Sequence, residues 1–390
     1  MSDPLSVLLV TSQLPPDIGG TSVHAAEIAR GLHALGHRVT VVIRDRDPAA
    51  LHPLPCEVVP VDTKSGLIKP LRIRRAQRRV LRLIRERRVD VVFFAYTVVG
   101  FGDLYARLAR EGIPYAVGIH GFNKSDLADD VAMAHRRRKW GLAGASRVIA
   151  CTRWLAAQME PLARKKVDTV HYGIDPGIDA RATPERVEEA RERLGLRGRR
   201  VLLCLGRYVP RKNFDAVIRL LPSLAARFPD LTLLMVGGGK EEENLRRLAA
   251  DLGVADRVVW GPQVPPADVG VYYKVADLFV TVSLTRPEDD TYETFGLVYA
   301  EANLCGTAVV GGREGGVPEA VEDGVTGLLV PAGDPAALEA ALVRLLGDDE
   351  LRRRMGAAGR ARVLERFTWA RAARETAELL AACRVTKRPG

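Results

Sequence analysis

The sequence predicts an α/β protein made of two doubly wound parallel sheets in series. Three observations predict it. Short, β-branched apolar runs alternate with amphipathic helical stretches along nearly the whole chain. That alternation breaks over a charged, proline-interrupted interval near residues 175–200 and then restarts. The length, 390 residues, is long for one domain and comfortable for two.

In the first half, strands are expected at 7–12, 38–43, 89–94, 115–120, 147–152 and 167–173. Most are apolar throughout, as strands covered on both faces are. Helical patterns lie between them, such as 22–35. The interval from Asp175 carries Pro176 and Pro184 and ends in GLRGRR, so 176–200 reads as a linker. Strand signals resume at 201–206, 231–239, 257–261, 278–283 and 307–312. The last segments, 334–346, 349–365 and 368–383, look helical and carry no strand signal. An N-terminal domain at 1–175 and a C-terminal domain at 201–367 follow. Two such sheets facing each other leave a deep cleft at the carboxyl ends of their strands, where open α/β sheets bind ligands.

Composition narrows the class. A hydrophobic fraction of 47% suits large buried cores. No apolar run approaches the roughly 18 residues of a membrane span. The opening MSDPLSVLLVTSQLPP lacks a basic start and a small-residue cleavage site, so it reads as a first strand and not a signal peptide. Five scattered cysteines without a CxxC pair fit reduced thiols in a cytoplasmic protein. Residues 1–180 hold 27 Lys and Arg against 18 Asp and Glu, so nearly all of the net charge of +10 belongs to the first half.

Four stretches carry candidate chemistry. Gly19 and Gly20 lead into an alanine-rich helix starting near Thr21 or Ser22, where backbone and helix terminus can approach an anion; an ordinary βα turn would look the same. In CLGRYVPRKNFD, Arg207 and Lys212 flank a turn after a strand, with Asn213 placed to cap the next helix. Two cations there suit a diphosphate, although such turns are often merely solvated. His120 ends a central strand and is followed by Gly121, but a lone histidine is more often structural. In YETFGLVYAEANLCG, Thr294 reads as an N-cap, with a helix from Phe295 to the stop at Gly306. Glu293 and Glu301 would then lie roughly 12 Å apart along one rod. Such a pair could grip a sugar at one end and a ribose at the other; the alternative is a capped helix with one partly buried glutamate.

ETFGLVYAE resembles the E-x7-E motif of retaining GT-B glycosyltransferases of family 4. The resemblance continues through PPDIGGTSVHAAEIARGLHALGHRVTVV, the IHG histidine, GRYVPRKN, MVGGG and GGREGGVPEAVEDGVTGLLV. It implies the GT-B fold, two Rossmann-like domains across a deep cleft, with the final helix 368–383 returning to complete the first domain. It also implies roles. Arg207 and Lys212 would neutralise the departing nucleoside diphosphate, Glu301 would bind the ribose, and Glu293 the donor sugar. Backbone amides of Thr294, Phe295, Gly296 and Leu297 would contact sugar and phosphate. Val264 would hold the base through its main chain, His120 would touch the donor sugar near the reacting carbon, and Gly19 and Gly20 would border phosphate and acceptor.

The expected activity is therefore hexose transfer from a UDP- or GDP-linked sugar to a hydroxyl acceptor, with retention and an α-glycosidic bond. Glycolipid, polysaccharide and glycoside biosynthesis all accommodate it. No cofactor or metal is expected, because fixed cations do the neutralising. The acidic run Glu288, Asp289 and Asp290 invites a metal reading, discounted because acidic surface loops are common; the extension around it departs from the family pattern. The alternatives are a nucleotide-sugar epimerase or phosphorylase on the same fold, or a non-catalytic sugar-nucleotide sensor. Residues 69–88 read as an amphipathic helix with nine arginines, and a second basic cluster lies at 136–139. Such faces attract anionic membranes, which would place the protein on the inner surface; a solvated face is the other reading. No aromatics interleave with the arginines, which argues against nucleic acid.

Overall fold

The computed structural model describes residues 3–17, 19–62, 69–96, 104–121, 141–285 and 292–384, with only the backbone of Lys69 and Pro70. The acidic run Glu288, Asp289 and Asp290 and the basic cluster 136–139 lie outside the described residues. The chain divides into two compact units: Met1–Gly173 with Trp369–Gly390, and Ile174–Thr368.

The first unit runs β1 (Ser6–Thr11), α1 (Gly20–Ala34), β2 (Arg38–Arg44), β3 (Glu57–Val61), α2 (Lys69–Glu86), β4 (Val91–Phe94), α3 (Leu104–Arg110), β5 (Tyr115–Ile119), β6 (Arg147–Ala150), α4 (Arg153–Ala163) and β7 (Asp168–Thr169). Among the described residues its seven strands order as β3-β2-β1-β4-β5-β6-β7, and the pairings are parallel. Strand β3 was not expected: Pro60 interrupts its pattern, and the sheet tolerates that proline because β3 is an edge.

The second unit opens with α5 (Gly177–Arg181) and α6 (Pro184–Arg193), then β8 (Arg200–Arg207), α7 (Phe214–Arg227), β9 (Leu231–Gly238), α8 (Glu242–Asp251), β10 (Val258–Trp260), α9 (Val269–Val275), β11 (Leu278–Thr281), α10 (Leu297–Leu304), β12 (Val309–Gly312), α11 (Val317–Ala320), β13 (Gly327–Val330), α12 (Pro335–Leu346) and α13 (Asp349–Arg366). Among the described residues its six parallel strands order as β10-β9-β8-β11-β12-β13. The stretch 176–200, expected as a linker, is largely helical and packs α5 and α6 against α9. Its prolines start helices instead of breaking the chain: Pro184 is the first residue of α6, capped by Thr183 Oγ1, which accepts from Arg186 N–H at 3.4 Å.

The final helix, α14 (Trp369–Ala381), belongs to the first unit and packs on α1. Gly31 makes that approach close, since a Cβ there would stand 2.3 Å from the Ala373 Cβ. Each sheet has its own core. Leu5, Leu9, Val41 and Phe93 are fully buried or nearly so in the first, as are Leu202, Leu233, Val280 and Val310 in the second. At about 1.5–3 kcal/mol per buried large apolar side chain, these runs outweigh local propensity in setting the strands. Among the described residues no helix is long and apolar enough to cross a membrane.

Candidate functional site

Strand β8 pairs with β9 on one side and β11 on the other, so chain order reverses between β8 and β11. Loops leaving a parallel sheet at such a reversal splay apart and open a crevice. The loop after β8 makes a 3-10 turn, Pro210–Lys212, and the chain turns into α7 through Asn213 at φ 54°. Asn213 does not cap α7 with its side chain. Its amide donates to Val282 O at 3.3 Å and Ala332 O at 3.2 Å, and Leu284 N–H donates to Arg211 O at 2.8 Å. The turn is thereby fastened to the chain leaving β11.

On that base three donors meet one carboxylate. Glu293 Oε2 accepts from Arg211 Nη1 at 2.7 Å, from Lys212 Nζ at 2.8 Å and from Ser283 Oγ at 3.2 Å. Burial pushes this carboxyl up, but the Lys212 and Arg211 charges and hydrogen bonds outweigh it and hold it at about 2. The cation partnering Lys212 on Glu293 is thus Arg211. Arg207, read from the sequence as the second cation for a diphosphate, ends β8 as an exposed residue.

The backbone of Glu293 is held from the other side. Gly316 N–H donates to Glu293 O at 3.0 Å, and Gly315 sits at φ 56° with room for no side chain: a Cβ there would lie 2.2 Å from that same oxygen. The helix after Glu293 starts later than its pattern suggests. Thr294 is not the N-cap; α10 begins at Leu297, with left-handed Gly296 at its cap. Glu293 and Glu301 therefore do not share one continuous rod. Phe295 is buried, its ring edge-on to Phe367 at 5.3 Å.

Glu301 lies within α10, where its Oε2 accepts from Tyr273 OH at 2.9 Å. Burial raises its carboxyl, opposed by that hydrogen bond and by the Lys212 charge. Val264 is half-buried in the loop after β10. Tyr273, Arg211 and Ser283 were not singled out from sequence. Arg211 was visible beside Lys212, whereas Tyr273 and Ser283 come into place only through the fold.

In the first unit, Gly19 caps α1 at φ 148° and Gly20 is its first residue. His120 follows β5, and both its ring nitrogens are engaged. Nε2 lies 2.7 Å from Ala95 O, which makes it the protonated nitrogen, and Nδ1 accepts from Tyr172 OH at 2.7 Å. Burial lowers its pKa to about 4, partly opposed by the Ala95 contact, so the ring is neutral at pH 7. Its ring centroid is 4.3 Å from that of His24, which is buried and whose pKa burial lowers well below the ordinary imidazole value.

Two family models match consecutive parts of the chain: Glycosyltransferase Family 4 over residues 18–177 and Glycosyl transferases group 1 over residues 186–362. A GDP-mannose-dependent alpha-(1-6)-phosphatidylinositol monomannoside mannosyltransferase of Mycolicibacterium smegmatis is 44% identical over 214 residues. That alignment covers 55% of this chain and 54% of the relative, so the match spans about half the length of that protein. A D-inositol 3-phosphate glycosyltransferase of Frankia alni is 33% identical over 92% of this chain and 93% of its own. Among solved structures, a glycosyltransferase from Rickettsia africae superposes with a TM-score of 0.79 at 18% identity, covering 99% of this chain and 100% of that one.

Proposed function

This chain belongs to glycosyltransferase family 4, the group 1 glycosyl transferases, and on that premise we propose that it moves mannose from GDP-mannose to a hydroxyl of an inositol-bearing acceptor. The observation that carries the reading is the cation pair Arg211 and Lys212, fixed at the carboxyl ends of β8 and β11 and holding an anion. GDP-mannose and an inositol acceptor are the chemistries named for the Mycolicibacterium and Frankia relatives. Those names favour neither the epimerase, the phosphorylase nor the sensor.

The reaction follows from charge. As the anomeric C–O bond to the diphosphate breaks, negative charge collects on the leaving group and positive charge on the sugar. Lys212 and Arg211, together with Arg207, stabilise the first without reorganising, and so stand in for a metal ion. The acceptor hydroxyl adds to the same face, its proton passing to the departing phosphate oxygen, so the α configuration is retained. Glu293 takes hydroxyls of the sugar. Glu301, oriented by Tyr273, takes the ribose, and Val264 takes the base through its main chain. The amides of Thr294, Phe295, Gly296 and Leu297 line the phosphate and sugar. Gly19 and Gly20 border the phosphate and the acceptor, and the neutral His120 ring touches the donor sugar near the reacting carbon.

For a lipid acceptor, α2 is the membrane contact. It buries Ala76, Val80, Leu83 and Ile84 and exposes Arg74, Arg75, Arg78, Arg79 and Arg82. On this reading the enzyme works at the cytoplasmic face.

Melting with GDP, UDP, ADP and dTDP, each with and without chelator, tests the donor. Saturating GDP should add about 2.7 kcal/mol at 100 times Kd, unaffected by chelator. A shift with UDP alone, or one abolished by chelator, contradicts the donor or the metal-free reading respectively.

A further inference from the structure

Three side chains from two loops donate to a single oxygen, Glu293 Oε2. The site is mostly closed to water: Arg211, Lys212 and Glu293 side chains are 16%, 10% and 13% exposed. One cation would neutralise this largely buried carboxylate, yet two cations and a hydroxyl converge on it. What they form is an anion site with one positive charge in excess. Arg, Lys and Ser donate to phosphate oxygens as they do to carboxylate oxygens. The donors are anchored, through Leu284 N–H on Arg211 O and the Asn213 amide on Val282 O and Ala332 O. The occupant is a glutamate, whose carboxylate is joined to its backbone by rotatable side-chain bonds.

We propose that the Glu293 carboxylate is an internal occupant of the diphosphate subsite, so that donor phosphate oxygens and Glu293 compete for Lys212 and Arg211. This rests on the nucleotide-sugar reading above and makes Arg211 a donor-binding residue. It gives Glu293 two successive partners. In the free enzyme it neutralises the cations; when the diphosphate takes them, the carboxylate is released for the hydroxyls of the incoming sugar. On the return step it displaces the nucleoside diphosphate, helping the product leave.

The opposite role makes the opposite prediction. If Glu293 only holds Lys212 and Arg211 in place, removing its charge lets them splay and weakens phosphate binding. The sign of the change separates the two.

The test is calorimetric titration of GDP, with chelator present, into the full chain and into Glu293→Gln, Glu293→Asp and Arg211→Met. Losing a competing charge-assisted contact should tighten GDP about tenfold in Glu293→Gln. Glu293→Asp keeps the charge but draws it back by one methylene, and should tighten GDP by about threefold; it serves if the glutamine variant folds poorly. Arg211→Met should bind GDP more weakly, and the gain from Glu293→Gln should shrink in that background. Wild-type binding with unchanged or weaker affinity in the Glu293 variants overturns the inference and leaves the donor reading standing. Unchanged affinity in Arg211→Met overturns its assignment to the subsite. No GDP binding by the wild type overturns the inference and the GDP-sugar reading together.

Discussion

Gly315 offers the most direct handle on how the Glu293 loop is held. The perturbation is Gly315→Ala. At φ 56° an L-residue is strained by about 1–2 kcal/mol wherever it sits. At this position the new Cβ also meets Glu293 O at 2.2 Å and Glu293 C at 3.2 Å. Relief requires the Glu293 backbone to retreat by more than an ångström from ordinary contact, or overpacking worth a further ~1–3 kcal/mol. The retreat strains the Gly316 N–H bond to Glu293 O and moves the carboxylate off Lys212 and Arg211. Gly324→Ala is the internal control. Gly324 has φ 77° and nothing within 4 Å of an added Cβ, so it feels backbone strain alone. In urea unfolding the two variants should differ by about 1–3 kcal/mol. Donor turnover should fall about a hundredfold in Gly315→Ala, the scale of an ångström misplacement, and stay near wild type in Gly324→Ala. Equal stability and equal turnover in the two would refute the claim that the 315–316 turn positions Glu293.

Further outcomes follow from the same geometry. Lys212→Met takes one of two cations from a buried carboxylate and should cost about 3 kcal/mol at pH 7. Because the native Glu293 carboxyl lies at about 2, below its ordinary value, the stability it contributes is present above the ordinary carboxylate range. The deficit of Lys212→Met should therefore shrink as the pH of urea titrations is lowered below that range. Tyr273→Phe leaves Glu301, already raised by burial, without its hydroxyl donor. A raised carboxyl costs stability as pH rises past its unfolded value, so this variant should lose about 1–3 kcal/mol, more at pH 8 than at pH 5, with a higher donor KM. Binding to anionic vesicles should fall steeply with salt and weaken when Arg74, Arg75, Arg78 and Arg79 are changed to Gln; salt-independent binding would exclude the α2 contact.

Much of the fold was legible because parallel strands buried on both faces are apolar throughout. β1, β8 and β11 stand out in the sequence for that reason. The edges were harder. β3 carries a proline, and β13 is a four-residue run whose pairing only β12 supplies. Residues 176–200 misled because proline marks both a break and a helix start, and only packing on α9 distinguishes them. At the site, the residue types were readable but their pairing was not. Spacing shows Arg207, Arg211 and Lys212 around one turn, yet the 3-10 geometry of Pro210–Lys212 decides that Arg211 reaches Glu293. The contact of Tyr273 with Glu301 joins residues in different helices, and no local pattern announces it. For His120 the strand-end position was readable, whereas its hydrogen bonds with Ala95 O and Tyr172 OH join residues far apart in sequence.

The activity proposed for this chain is metal-free transfer of mannose from GDP-mannose with retention. Its most direct measurement is proton NMR of a reaction of GDP-mannose labelled at the anomeric carbon with an inositol acceptor, in the presence of chelator. The account predicts an α-mannoside signal growing in step with GDP release, and neither in Lys212→Met. A β-mannoside, or GDP release that stops when chelator is added, would contradict it.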